Sequence, residues 1–277
     1  MGRVETRMYK RKRQRRKTAR IALLMLVLIG GGTLLWGRLS GGLRLEHIGL
    51  PTSTPISSSF DKTTDTREVT LAAETWYAIQ TGVFSTREAA EQKADAYTER
   101  GAPGTVIQEG EKWRVFIACY GTEEQAASVR TRLEQNQKVD TYLYAWKCPE
   151  LRLRLSGMVG QMDVVEAGFT LLTSGAAAVR DAAIQLDAGE LTTAETASAV
   201  DEWISQMALW RDTTVSRFGK KMPEMVQTML VMTESWAGKL GQVKSAETAT
   251  ALSASLKACA MGMFDDIITW RNGFVAQ

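Results

Sequence analysis

The 277-residue sequence predicts an α+β protein in three parts. An apolar N-terminal segment comes first, then a small βαββαβ domain with a four-stranded antiparallel sheet, then a C-terminal antiparallel helical bundle. Three observations carry this reading. One strand-helix pattern occurs twice within about seventy residues of the chain's first half, which is the mark of a split βαβ sandwich. A charge-free apolar run follows a dense basic one near the N-terminus. From Leu151 onward the apolar spacing turns helical, with breaks at glycine and proline.

The first copy of the repeated unit reads Tyr77-Ala78-Ile79-Gln80-Thr81-Gly82-Val83-Phe84, and the second Trp113-Arg114-Val115-Phe116-Ile117-Ala118-Cys119-Tyr120. Successive side chains of a strand face opposite sides. Tyr77, Ile79 and Thr81 therefore share one face, and Ala78, Gln80 and Gly82 the other. In the second copy Trp113, Val115 and Ile117 point inward, leaving Arg114, Phe116 and Ala118 outside. Ser85 with Glu88, and Thr122 with Gln125, have capping-box spacing, so helices are expected over 86–99 and 123–135. The strands register at an offset of 36 (113 − 77) and these caps at 37 (122 − 85), which makes Gly121 an extra residue. Ala89, Ala90, Ala94 and Tyr97 stripe the first helix, and Ala126, Val129, Arg130 and Leu133 the second. Small residues there let a helix lie close to a sheet.

Between the units, Pro103-Gly104-Thr105-Val106-Ile107-Gln108 reads as a strand and Glu109-Gly110-Glu111-Lys112 as a tight hairpin. Val139 to Trp146 alternates again. The resulting order places both helices on one face of the sheet. The other face is expected to carry Gln80, Arg114, Phe116, Tyr142 and Tyr144, with Trp113 and Trp146 near its rim. Rings facing water on a sheet suit stacking against flat rings and sugars, and Gln and Arg add directional hydrogen bonds. The alternative is that Phe116, Tyr142 and Tyr144 pack beneath the C-terminal region of the same chain.

Ile79-Gln80-Thr81-Gly82-Val83-Phe84-Ser85 resembles the opening of a SPOR (sporulation-related repeat) domain, an RNP-like βαββαβ fold. Trp113-Arg114-Val115-Phe116-Ile117-Ala118 resembles its second signature, and Glu123-Glu124-Gln125-Ala126 fits its second helix start. The resemblance covers about 73–147. It implies binding to bacterial peptidoglycan, specifically glycan strands stripped of stem peptides, which mark septa and sporulation or division sites of wall remodelling. It maps the sheet-face Gln of the family onto Gln80, a third-strand aromatic onto Trp113, and a last-strand aromatic onto Tyr142 or Tyr144. Ala118 stands where family members usually carry Gly, and Val83 where some binders carry Ser.

Residues 1–20 hold ten Lys and Arg against Glu5 alone. Ile21 to Trp36 is uncharged and apolar, slightly short of a spanning helix, and Gly37 and its neighbours extend it. The long basic region and the poor cleavage site at Trp36-Gly37-Arg38 favour an uncleaved single-pass anchor over 21–37. Positive charge stays in the cytoplasm, which puts the C-terminal domains outside the cell, and the basic tail is expected on anionic lipid. Residues 38–72, rich in Ser, Thr, Gly and Pro, read as a flexible linker. Without the first 20 residues the totals of 34 basic and 31 acidic fall by 10 and 1, to 24 and 30. The exported part is thus acidic, which excludes nucleic acid as a partner by charge.

The small domain is expected over 73–148 and the bundle over 149–277. Leu151-Arg152-Leu153-Arg154-Leu155-Ser156-Gly157 alternates strictly and reads as a strand or connector that could add to the sheet edge. Helices follow over 158–188, 193–218, 222–240 and 246–274, with Thr192 or Thr193 and Ser245 as plausible starts. Met225, Met229 and Met232 form one stripe, read as core packing or as a groove for a protein partner.

Catalysis is not expected. The single histidine, His47, lies in the linker, so the folded part has no Ser-His or Cys-His dyad. Cys119, Cys148 and Cys259 lack metal-ligand spacing and read as buried thiols, with at most one pair among them. Neither metal nor cofactor is expected. The acid pairs Glu123-Glu124 and Asp265-Asp266 have no aromatic cleft around them in sequence. Two functions compete: a membrane-anchored, non-catalytic peptidoglycan binder, and a structural protein with a self-covered sheet face whose bundle binds a cell-envelope partner.

Overall fold

The computed structural model describes residues 63–275. The basic tail, the apolar run and most of the 38–72 segment lie outside the described residues. Among the described residues six strands and six helices follow in the order β1 (Thr64–Leu71), β2 (Glu74–Phe84), α1 (Arg87–Thr98), β3 (Thr105–Glu109), β4 (Lys112–Tyr120), α2 (Glu123–Gln137), β5 (Tyr142–Cys148), β6 (Leu151–Met158), α3 (Val159–Ala188), α4 (Thr193–Phe218), α5 (Glu224–Val243) and α6 (Ala249–Val275).

Strands β2 to β5 form one sheet in the order β3-β4-β2-β5, every neighbouring pair antiparallel. Helices α1 and α2 cover one face. Their small stripes, Ala90, Ala94 and Tyr97 on α1 and Ala126, Val129 and Leu133 on α2, close on Ile79, Val115 and Ile117. The β3–β4 hairpin turns at Gly110, whose φ of +56° is one that glycine adopts without strain.

Two local expectations are corrected. Thr86, not Ser85, caps α1, accepting from the Ala89 amide at 3.3 Å. The caps Thr86 and Thr122 are then 36 apart, the same as the strand offset, and no extra residue is needed. Ala118 was expected on the outer face but lies in the helix-side core. The register between β2 and β4 slips at Ile117 and again at Thr81. One extra residue inverts the side-chain alternation beyond it, so Ala118 turns in and Cys119 turns out.

The alternating run at Leu151 does form a strand, but it does not extend the edge of the four-stranded sheet. It pairs with β1, and β1 occupies the last part of the expected linker. The two ladders are one ribbon. Paired residue numbers add up to 222 throughout, from Thr64–Met158 to Leu71–Leu151 and on through Glu74–Cys148 to Gln80–Tyr142. Only Ala72-Ala73 and Pro149-Glu150 interrupt it, and the proline lacks the amide a continued ladder would use. Arg271 of α6, 1 % exposed, fills this break: its Nη1 donates to the carbonyls of Ala72 at 2.8 Å and Pro149 at 2.9 Å.

The four long helices lie within a few residues of their expected bounds, α3 and α4 nearly coincident with them. Thr192 completes a capping box with Glu195. Thr248 rather than Ser245 serves α6, accepting from the Ala251 amide at 3.1 Å. The helices run antiparallel. Trp210, late in α4, donates to the Val164 carbonyl early in α3 at 2.8 Å, and Lys257, early in α6, pairs with Asp187, late in α3. A Cβ on Gly168 would meet the Trp210 ring at 2.5 Å and Met229 at 2.6 Å, so glycine permits this close approach. Met229 is fully buried, and Met225 and Met232 pack partly buried against the same core, so the methionine stripe faces inward.

The bundle and the sheet share one core. Trp76, Ala78, Phe116, Cys119 and Trp146 from the sheet join Leu172, Val179, Leu256, Phe264 and others from the helices. Burial of this much apolar area, at about 25 cal/mol per Å², fixes the bundle onto the sheet face away from α1 and α2.

Candidate functional site

The sheet face opposite α1 and α2 is therefore divided. At one end Phe264 of α6 stacks on Trp76 with centroids 4.1 Å apart and meets Trp146 edge-on at 5.5 Å. The guanidinium of Arg180 lies 4.5 Å from the centroid of the same Trp76 ring. Phe116 stacks on Trp146 at 5.4 Å and is 1 % exposed. At the other end the cover stops. Tyr144 is half-buried and Tyr142 is 63 % exposed.

The register explains this gradient. Trp146, Tyr144 and Tyr142 stand opposite Trp76, Ala78 and Gln80 along the β2–β5 ladder, all on one face. Moving along it from Trp146 to Tyr142 is moving out from under α6. Four polar groups gather where the rings emerge. Arg114 donates from Nη1 to Gln80 Oε1 at 2.8 Å and from Nε to Glu109 Oε2 at 2.5 Å. Its guanidinium stacks over Tyr144 at 4.7 Å, and the Tyr144 hydroxyl donates to the other Glu109 oxygen. Arg114 thus orients the Gln80 amide through its oxygen, and Gln80 itself is 8 % exposed.

The electrostatics follow from these bonds. Burial opposes ionisation of Glu109, but the hydrogen bonds from Tyr144 and Arg114 outweigh it and hold the carboxyl below its ordinary value. Burial, then the Glu109 hydrogen bond, pushes the Tyr144 phenol up to about 12. On α6, Asp265 is raised to about 6 by burial and by neighbouring Asp266. Asp266 is committed to Trp236 Nε1 at 2.8 Å and faces Lys239 at 3.7 Å. The three thiols are all buried and unpaired, with burial raising Cys119 to about 12 and Cys148 and Cys259 to about 11.

Of the six residues expected to bind, Gln80, Arg114, Tyr142 and Tyr144 come together at the uncovered end. Phe116 lies on the same face but beneath the bundle's edge. Trp113 lies on the opposite face, packed against the helix-side core with Arg87 5.6 Å from its ring centroid. Trp146, expected near the rim, is 6 % exposed inside the shared core. Sequence reasoning passed over Glu109 as a turn residue. Its alternation with Ile107, opposite Arg114, places it on the same face and could have found it. Nothing in the sequence marked Phe264 as the ring that covers the sheet.

Among the described residues no group of three or more His, Cys, Asp or Glu is placed to hold a metal ion. The SPOR domain family model matches residues 73–145, which span β2 to most of β5. SPOR domains are non-catalytic modules that bind peptidoglycan. The C-terminal helical part, from α3 onward, falls outside this match. No curated protein and no solved structure matches the chain.

Proposed function

We propose that this protein is a membrane-anchored, non-catalytic binder of peptidoglycan, and that it engages denuded glycan strands through the uncovered end of its sheet. One observation carries the reading: within the SPOR match, the face that the bundle otherwise closes stays open at Tyr142, beside a Gln80 amide held in place by Arg114. A ring 63 % exposed next to an oriented amide offers a saccharide both stacking and directional hydrogen bonds. The apolar run at 21–37 with its basic flank supports a single-pass anchor with the folded part outside the cell. Retention at septal or sporulation wall sites follows from a preference for stripped strands. The test is sedimentation with purified sacculi. The protein should pellet, and pellet more after an amidase has removed the stem peptides. Equal retention by treated and untreated sacculi counts against the preference, and no retention by either counts against the function.

A second reading is favoured by the Trp76–Phe264 stack and the burial of Phe116. In it the sheet face serves chiefly to seat the bundle, and the bundle recruits a cell-envelope protein. Failure of sacculi to retain a correctly folded protein selects this reading.

A further inference from the structure

We propose that the end of the bundle at the α4–α5 turn is a bilayer-contacting surface that seats on anionic phospholipid headgroups. The proposal rests on the anchored reading above and adds to it a second, reversible contact.

The described chain enters the fold at this end of the bundle. The Thr63 carbonyl accepts from the Val159 amide at 3.1 Å, and Thr64 pairs with Met158. Two residues on, Gln161 donates to the Arg217 carbonyl at 3.1 Å. The point of entry and the α4–α5 turn therefore share one end of the bundle. The 25 residues from 38 to 62 that join this end to the proposed anchor reach at most about 85 Å. Such a tether sets the local bilayer concentration on the order of millimolar, so a weak contact is populated.

The same end carries uncompensated positive charge. Gly219, at φ +55°, reverses the chain and leaves Lys220 and Lys221 exposed. Neither they nor Arg217 form an ion pair among the described residues. The acids nearby are otherwise engaged: Asp163 and Glu166 by Arg67 at 2.7 and 3.0 Å, and Asp212 by Arg211 at 2.8 Å. Glu224 opens α5, where the helix dipole holds it. Unpaired cations near an anionic surface contribute roughly 1 kcal/mol each.

Apolar side chains flank those cations. Met158 is 38 % exposed and Val215 is 51 % exposed, and Phe218, the residue before Gly219, is half-buried. Lysines at the level of headgroups and apolar side chains just past them is the composition of an interfacial contact.

The test uses the full chain in nanodiscs, with a nitroxide on Val215→Cys and, as a control at the other end of the bundle, on exposed Glu190→Cys. All three natural thiols are buried, so labelling is selective. In phosphatidylglycerol discs the Val215 label should show an oxygen-to-nickel-complex accessibility ratio about threefold or more above the Glu190 label, and the excess should vanish in phosphatidylcholine discs or with Lys220→Glu plus Lys221→Glu. Equal ratios at both labels in phosphatidylglycerol, or an excess that survives phosphatidylcholine, overturn the proposal while leaving the anchor intact. Failure of the unlabelled chain to float with liposomes instead refutes the anchor, and the proposal falls with it.

Discussion

Phe264, near the end of the chain, lies parallel to Trp76, on the first strand of the four-stranded sheet, with ring centroids 4.1 Å apart and planes within 3°. Through this pair and the rings around it, the bundle and the sheet share a single core. The proposed glycan face is then a remainder. It is what the helices do not cover, and its limits are set by where α6 passes over β5.

A shared core implies one cooperative unit. Phe264 is fully buried, and Phe264→Ala should cost about 3–5 kcal/mol. Chemical unfolding of the parent protein should show one transition by both tryptophan fluorescence and far-ultraviolet circular dichroism. Two separated transitions, or a loss below about 1 kcal/mol in the variant, would mean that the sheet and the bundle are independent.

Arg271 bridges the break in the long ribbon. Replacing it with Met keeps much of the volume but strips the carbonyls of Ala72 and Pro149 of their donor. A loss of about 1.5–3 kcal/mol is expected, the range of a hydrogen bond to a charged donor, because Ala72 is exposed and Pro149 half-buried and water can reach their carbonyls. Amide exchange should quicken first in β1 and β6. Unchanged exchange there would show that the break needs no donor.

The half-buried Asp265 carboxyl is raised to about 6 from an ordinary 3.8. A group that binds its proton more tightly when folded contributes stability present below its unfolded value and lost as pH rises through the folded one. Asp265→Asn should therefore stabilise the protein at pH 7.5, by about 1–2 kcal/mol after allowance for solvent screening. Near pH 3.5 it should change little. The difference between variant and parent, followed by urea midpoint against pH, should open mainly between pH 4 and 6.5. A difference constant with pH would place its cause elsewhere.

The cap of α1 gives a local check. Thr86→Ala should cost about 1 kcal/mol, and Ser85→Ala only a few tenths. The reverse order of thermal midpoints would restore Ser85 as the cap.

Much of this was legible in the sequence because it depends on short-range pattern. The βαββαβ order, the helix-side stripes and the hairpin at Gly110 follow from period and turn chemistry. The bounds of α3 and α4 follow from the glycine stops and from Thr192. What was not legible depends on residues far apart in the chain. The slip at Ile117 leaves no compositional trace, so Ala118 was placed on the wrong face. The Thr86 cap was missed because Ser85 has equal capping chemistry one residue away. The pairing of β1 with β6 joins segments about ninety residues apart, of which the first has linker composition. The division of the site is of the same kind. Alternation put Phe116, Tyr142 and Tyr144 on one face correctly, but only the path of α6 decides which of them meets water.

The central claim is that glycan is held at the open end of the sheet, and sedimentation of variants with amidase-treated sacculi tests it most directly. Tyr142→Ala and Gln80→Ala should each lower retention, and together by about tenfold or more, the equivalent of 1.4 kcal/mol, with unfolding midpoints near the parent's. Trp113→Ala, on the far face, should still pellet. Full retention of the Tyr142→Ala, Gln80→Ala double variant, or loss of retention in a folded Trp113→Ala protein, would contradict the account.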